Sequence, residues 1–191
     1  MKLKVTIAVL ILLLPVAVWT FSREAPRQRE TSLEVRQEEL LAELSIEPVA
    51  EREAPDFVLK DLDGNSIRLR DLRGKLVLLN FWATWCPSCR FEMPSMEALH
   101  KEFGGRELVV LAVNFQESAE DGRSFYQEHD LSLPALLDPG AKVFALYQAW
   151  SLPTTFIINK QGHVLGKVVG YRDWDSDQSK ALFTELLKGA A

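Results

Sequence analysis

Cysteine is nearly absent from this chain of 191 residues, which contains only Cys86 and Cys89. Any disulfide inside one molecule must therefore join these two. Histidine is also scarce, and His100, His129 and His163 stand at no ligand spacing from one another or from the cysteines. A metal site therefore has little support, and we predict neither a metal nor a cofactor.

Positive charge is in the minority, since the formal net charge is −5 and the isoelectric point is near 5.3. No basic cluster, internal repeat or low-complexity tract interrupts the sequence. We therefore expect no nucleic-acid partner. Without its N-terminal part the chain still has enough residues for one domain with one core, which we expect to be a monomer.

A long apolar run stands at the N-terminus, where Lys2 and Lys4 precede the uncharged residues 5–21. A helix over this run spans about 26 Å, close to the roughly 30 Å hydrocarbon layer of a membrane. A cleaved signal peptide is the alternative, but no good pair of small residues at cleavage spacing follows the run. We predict a single-pass anchor over 1–22 in the cell (inner) membrane, with the rest of the chain on the periplasmic or extracellular side.

Residues 23–53 are rich in Glu, Arg and Gln. Thr31 and Glu34 have the spacing of a helix-capping box, and leucines then recur at helical intervals. This pattern predicts a charged, partly helical linker between the membrane and a domain over 54–191. A dimerisation helix is the alternative, although the pattern covers two heptads at most.

From residue 54 the pattern changes to alternating strands and helices. Two short apolar segments flank a turn at Gly64, which predicts a β-hairpin. The unbroken apolar run 76–81 predicts a strand buried on both faces, followed by a helix over 87–103. Further strands are predicted at 108–114, 135–137, 154–159 and 163–169, and further helices at 119–129, 142–148 and 175–188. This order predicts an α/β protein whose mixed sheet is covered on both faces.

The sequence Cys86-Pro87-Ser88-Cys89 lies between the buried strand and the helix. Unpaired N–H groups and the helix dipole stabilise a thiolate there, so Cys86 should be the accessible nucleophile of thiol–disulfide exchange. Cys89, one turn further, should be more buried and should resolve the mixed disulfide. A structural bridge across so small a loop would stabilise little, and a zinc knuckle would need two more ligands.

The stretch 80–94 resembles the active-site stretch of thioredoxin-fold proteins of the TlpA/ResA group, which are membrane-anchored thiol–disulfide oxidoreductases. The resemblance includes residues 54–57, the turns at Gly64 and Gly162, and residues 152–156, so it covers 54 to about 188. It implies a thioredoxin fold with an N-terminal β-hairpin. The length of 107–147 leaves room for the central strand–helix insertion of this family.

The resemblance also implies roles for particular residues. Pro153 matches the cis-proline that faces the two cysteines, with Leu152 and Thr154 shaping the site beside it; an ordinary trans proline is the alternative. Glu92 lies one helical turn after Cys89, where an acid with a raised pKa can exchange the proton of that thiol. The alternative for Glu92 is a solvated surface residue.

The sequence also departs from thioredoxin itself. Asn80 occupies the strand position at which thioredoxin has a buried Asp, so Glu92 becomes the expected proton acceptor. Trp85 beside the first cysteine is expected to shield the disulfide or simply to pack. Trp150 and Trp174 lie outside the matching motifs and receive no role.

The dipeptide Pro87-Ser88 is closest to that of CcmG-like cytochrome c maturation proteins, and it leaves the direction of electron flow open. The resemblance implies an extracytoplasmic enzyme that reduces disulfides in substrate proteins such as apocytochrome c, with electrons from a membrane thiol donor. A general envelope dithiol reductase or oxidase is the alternative. A copper-carrying or apoprotein-binding module is disfavoured because no histidine accompanies the cysteines. A peroxidase is disfavoured because Cys86 lacks the Pro-x-x-x-Thr-x-x-Cys setting.

Overall fold

A computed structural model describes residues 35–105 and 107–188, in which helices flank one mixed sheet. The strands are β1 Glu47–Glu53, β2 Val58–Asp61, β3 Ser66–Arg68, β4 Leu76–Trp82, β5 Leu108–Phe115, β6 Ala135–Asp138, β7 Thr154–Ile158 and β8 His163–Val169. The helices are α1 (residues 35–43), α2 Pro87–Phe103, α3 Ala119–Glu128, α4 Lys142–Leu146 and α5 Asp177–Lys188, with a short 3-10 turn at Leu69–Leu72. The elements predicted from residue 54 onward are confirmed, with ends shifted by a few residues.

Within the part of the chain that the structure describes, the sheet has eight strands in the order β1-β8-β7-β4-β5-β6-β2-β3. Strand β4 runs parallel to β5 and antiparallel to β7, and every one of its residues is buried. The α3–β6–α4 segment lies between β5 and β7, which confirms the predicted central insertion. The loop that carries the cysteines therefore starts from the carboxyl end of a fully buried strand.

Side chains along β4 alternate between two hydrophobic clusters, one on each face of the sheet. Leu76, Leu78 and Trp82 belong to the cluster under α2, and Val77, Leu79 and Phe81 belong to the opposite one. The alternation places Asn80 on the face covered by α2. A polar side chain is thereby buried directly beneath the helix that carries the cysteines.

The N-terminal part of the domain corrects the predicted boundary. Strand β1 pairs antiparallel with β8 and adds an edge strand to the sheet, so residues 47–53 are not a linker. Helix α1 packs on the domain, since Leu40 and Ile46 are buried in the cluster under α2. Charged side chains are common on the open edge of a sheet, which is why a strand with three Glu and one Arg among its seven residues escaped the hydrophobic pattern. Leu40, Leu41 and Leu44 of the predicted linker helix, which a dimerisation helix would have turned toward a second chain, pack against this domain itself.

The predicted anchor over 1–22 lies outside the described residues. Within the ranges 35–105 and 107–188, no helix is both long and apolar enough to cross a membrane.

Candidate active site

Cys86 occupies the residue that caps the N-terminus of α2. Its backbone is extended, with φ −89° and ψ 110°, and its Sγ accepts a hydrogen bond from the backbone N of Cys89 at 3.2 Å. Pro87 follows at the first helical position, where a missing N–H is tolerated. The sulfur therefore meets the oriented N–H groups of the first turn, as the sequence predicts.

Cys86 and Cys89 form a disulfide, with their Cα atoms 5.3 Å apart. Cys89 is fully buried and Cys86 is 4% exposed. The predicted order of burial is confirmed, but the first cysteine is less open to solvent than predicted. A partner must therefore approach through a defined opening beside it.

That opening is a groove of about 710 Å³, part of it open to solvent. The indoles of Trp85 and Trp150 project at its sides and are 63% and 74% exposed. Its remaining wall is contributed by the loop of the cysteines, by the insertion and by the segment before β7: Cys86, Pro87, Ser88, Phe115, Phe144, Ser151 and Leu152. Trp85 is thus not a packed core residue, and Trp150 is a site residue that the sequence did not reveal.

The Leu152–Pro153 peptide bond is cis, as predicted. Thr154 starts β7 directly opposite Phe81 of β4, which brings the proline beside the loop that carries the cysteines. The Thr154 hydroxyl donates to the Ser151 carbonyl at 2.7 Å and holds this bend. Leu152 lines the groove, whereas the two residues after it are buried.

Glu92 lies on the buried face of α2 and is only 1% exposed, so the solvated alternative is wrong. Its Oε1 accepts hydrogen bonds from the Arg172 backbone N at 3.1 Å and from Trp174 Nε1 at 2.8 Å. Its Oε2 accepts one from Asn80 Nδ2 at 3.1 Å. Burial raises the pKa of Glu92 to about 7, although these hydrogen bonds oppose the rise.

Asn80 connects the acid to the sheet. Its amide nitrogen donates both to Glu92 and to the Thr155 hydroxyl, the latter at 2.9 Å. Its Oδ1 has no hydrogen-bond partner among the described groups. Because Asn80 does not titrate, Glu92 is the ionisable group of this buried network.

Two further contacts hold the site and escaped the sequence analysis. Trp174 lies 82 residues from Glu92 along the chain, and no local pattern predicts its indole–carboxylate contact. Glu117, after β5, accepts hydrogen bonds from the backbone N of Thr84 at 2.8 Å, from the Thr84 hydroxyl and from Asn114. This carboxylate fixes the loop that precedes Cys86.

A disulfide at a helix N-terminus, in a groove that is also lined by the residue before a cis-proline, defines the class: this is a thioredoxin-like thiol–disulfide oxidoreductase. The family model of the AhpC/TSA family matches residues 50–166. The thiol-disulfide oxidoreductase ResA of Halalkalibacterium halodurans is 40% identical over 142 residues, which are 74% of this chain and 79% of that protein. The chain therefore belongs to the AhpC/TSA family and, within it, to the TlpA/ResA-like oxidoreductases.

Solved structures agree with this assignment. The fold superposes on a Chlorobium tepidum protein described as a thiol:disulfide interchange protein, DsbE, with a TM-score of 0.65 at 30% identity. That match covers 75% of this chain and 99% of the other. The pneumococcal exposed lipoprotein thioredoxin Etrx1 of Streptococcus pneumoniae gives a TM-score of 0.59 at 33% identity, with coverages of 70% and 99%.

Proposed function

We propose that this protein is an outward-facing, membrane-anchored reductant of disulfides in substrate proteins, with apocytochrome c as the foremost substrate. The observation that carries the proposal is the Cys86–Cys89 disulfide at the N-terminus of α2, one helical turn from the buried acid Glu92. The likeness to an exposed lipoprotein thioredoxin supports the outward location. The Pro87-Ser88 dipeptide and the likeness to proteins named ResA and DsbE support the choice of substrate.

The reaction starts from the reduced dithiol, produced by a membrane thiol donor. The Cys86 thiolate attacks one sulfur of the substrate disulfide, that S–S bond breaks, and the departing substrate sulfur takes up a proton. Cys89, as a thiolate, then attacks the Cys86 sulfur and releases the second substrate thiol. Two electrons pass to the substrate, and the protein is left with the Cys86–Cys89 disulfide of the present structure.

Glu92 serves the second step. Cys89 is buried, so its thiol needs a neighbouring base, and Glu92 lies one turn away on the same face of α2. A carboxyl with a pKa of about 7 exchanges protons near neutral pH, where a general base is most effective. We therefore assign to Glu92 the removal of the Cys89 proton during resolution and its return when the disulfide is reduced.

The substrate segment binds in the groove beside Cys86. The residues that line the groove carry no charge, and the two exposed indoles at its sides provide apolar contact area. An extended polypeptide with apolar side chains next to its cysteine fits this lining. Leu152 lines this groove together with Cys86, and the buried cis-proline after it fixes the bend that presents Leu152.

Equilibration of the protein with glutathione over a range of redox ratios tests the direction of electron flow. A reduction potential near that of thioredoxin, about −270 mV, supports the reductant. A value near that of DsbA, about −120 mV, would instead favour the oxidase. Cys86→Ser is the control, because it removes the nucleophile and should abolish exchange.

Trapping identifies the substrate. In Cys89→Ser the resolving step is lost, so the mixed disulfide between Cys86 and the partner should accumulate. Apocytochrome c among the trapped proteins supports the proposed substrate. Its absence from the trapped set, together with normal cytochrome c levels in a deletion strain, would remove that substrate and leave the exchange chemistry intact.

A further inference from the structure

A segment between β8 and α5 crosses the buried acid, and we call residues 170–174 the strap. Two of its donors converge on one oxygen of Glu92, the Arg172 backbone N at 3.1 Å and Trp174 Nε1 at 2.8 Å. The Trp174 backbone N also donates to Ser95 Oγ on α2, at 3.1 Å. The strap is therefore fastened along the same helix that carries the cysteines.

The other side of the strap is fastened to the N-terminal helix. The Arg172 guanidinium donates from Nε to the Leu44 carbonyl at 2.7 Å and from Nη2 to the Ser45 carbonyl at 3.4 Å. These carbonyls follow the end of α1, where unpaired acceptors and the negative end of the helix dipole favour a cation. One residue thus binds the end of α1 with its side chain and the carboxylate of Glu92 with its main chain.

Helix α1 is itself held firmly on the domain. Leu40 is 1% exposed and Ile46 2%, and both lie in the hydrophobic cluster under α2. The Gln37 amide donates to the Glu185 carbonyl of α5 at 3.3 Å. The carbonyls that Arg172 binds are therefore fixed in place by burial and not only by the arginine.

We propose that Arg172 is a positioning residue through which the docking of α1 holds two hydrogen-bond donors on Glu92. When the guanidinium is released from the end of α1, the strap loosens and both donors move away from the carboxylate. The contact between Arg172 and the end of α1 does not depend on the proposed function. Its importance for turnover rests on the proton-exchange role proposed for Glu92.

The groups around Glu92 determine in which direction its pKa changes when Arg172 is released. Strand β4 contributes the neutral amide of Asn80, α2 contributes Cys89, and the strap contributes the charge of Arg172 together with the Trp174 indole. The donors of the strap and the cation all favour the ionised carboxylate. Burial is the largest cause of the raised pKa, so a shift of the strap that lengthens these hydrogen bonds while the acid stays buried raises the pKa of Glu92 further above its ordinary value.

The test measures the pKa of Glu92 by carbon-13 NMR of its carboxyl in the full-length oxidised protein. No thiol titrates in that state, and Glu92→Gln identifies the signal. The variants are Arg172→Ala, Arg172→Lys and Leu40→Ala, with the double variant of Leu40→Ala and Arg172→Ala. Arg123→Ala is the matched control, because its guanidinium also binds a backbone carbonyl, that of Leu62, away from the site.

We expect Arg172→Ala to raise the pKa of Glu92 by about 0.5 to 1, less than a fully buried charge pair would give, because Arg172 is half-buried. Arg172→Lys keeps the charge but lacks the planar fork that binds both carbonyls, so it should shift the pKa in the same direction. Leu40→Ala should also raise the pKa of Glu92, because it weakens the docking of α1. In the Arg172→Ala background it should cause no further rise. Arg123→Ala should leave the pKa unchanged.

A wild-type pKa in Arg172→Lys beside a raised one in Arg172→Ala would overturn the proposal, because the charge alone would then account for the effect. Additive shifts in the double variant would overturn it as well. If Leu40→Ala does not fold, the pKa of Glu92 in Arg172→Lys compared with that in Arg172→Ala still tests the proposal. A shifted pKa with an unchanged rate of disulfide exchange would remove the proposed role of Glu92 and leave the coupling standing.

Discussion

Glu92 should make the folded oxidised protein less stable as the pH rises. Burial holds the pKa of this carboxyl at about 7, whereas its ordinary value is 4.5. Below pH 4.5 the group is protonated in both the folded and the unfolded chain, so ionisation favours neither. Between pH 4.5 and about 7 the unfolded chain releases the proton and the folded chain keeps it, so the free energy of unfolding falls over that window.

The size of the effect follows from the same two values. Each pKa unit corresponds to about 1.4 kcal/mol, so the rise from 4.5 to about 7 costs about 3 kcal/mol above pH 7. Glu92→Gln keeps the shape of the side chain but cannot ionise. Its free energy of unfolding minus that of the wild type should therefore grow by about 3 kcal/mol between pH 4 and pH 8.

Urea unfolding of the oxidised wild type and of oxidised Glu92→Gln at pH 4, 5, 6, 7 and 8 measures this difference in the free energy of unfolding. The contributions of the other titrating groups cancel in the difference. Glu97→Gln is the matched control on the same helix. Burial alone would raise the pKa of Glu97, but hydrogen bonds from Ser132 and Leu133 outweigh it and hold that pKa below its ordinary value. The Glu97→Gln difference should therefore change in the opposite direction with pH. A flat Glu92→Gln difference would refute the reasoning.

Two further outcomes follow from the groove and from the N-terminal packing. Trp150→Ala should lower kcat/KM for a protein disulfide by about tenfold, which is the effect of removing one aromatic anchor. The rate at which a small thiol reduces the variant's disulfide should stay unchanged. Phe91→Ala is the control and should have little effect on kcat/KM, because it removes an equally exposed ring outside the groove. Gly166→Ala should cost about 1 to 3 kcal/mol in urea unfolding, because its new Cβ would lie 2.5 Å from Ile46 Cγ2 and displace the segment that leads into β1. Gly140→Ala, whose Cβ would meet only ordinary contacts, is the control, and equal losses in the two glycine variants would contradict this account.

The elements that the sequence predicted correctly are those with strong local signals. The run 76–82 contains no exposed residue, so its burial on both faces was visible in the sequence. The cysteine motif lay between that strand and a helix, which fixed its place at the helix N-terminus. The order of strands and helices after it then left few alternatives for the sheet.

The features that the sequence did not predict depend on contacts between residues far apart in the chain. Strand β1 carries three Glu and one Arg at an open edge of the sheet, and it is defined by pairing with β8 and not by its own pattern. Trp174 and Glu117 become site residues only when the chain brings them to Glu92 and to the loop of Thr84. Trp150 received no role from the sequence because nothing local indicates that it stands beside the groove.

Asn80 explains how the site can bury a single carboxyl group, that of Glu92, despite the cost in stability. A second carboxylate at this position would stand within hydrogen-bond distance of Glu92, and two such groups would share one proton instead of titrating independently. The neutral amide instead donates to Glu92 and ties it to Thr155 on β7. A penalty of about 3 kcal/mol is a large part of the marginal stability of a domain, about 5 to 15 kcal/mol. The proposed role of Glu92, proton exchange with the buried Cys89, gives a functional reason for this cost.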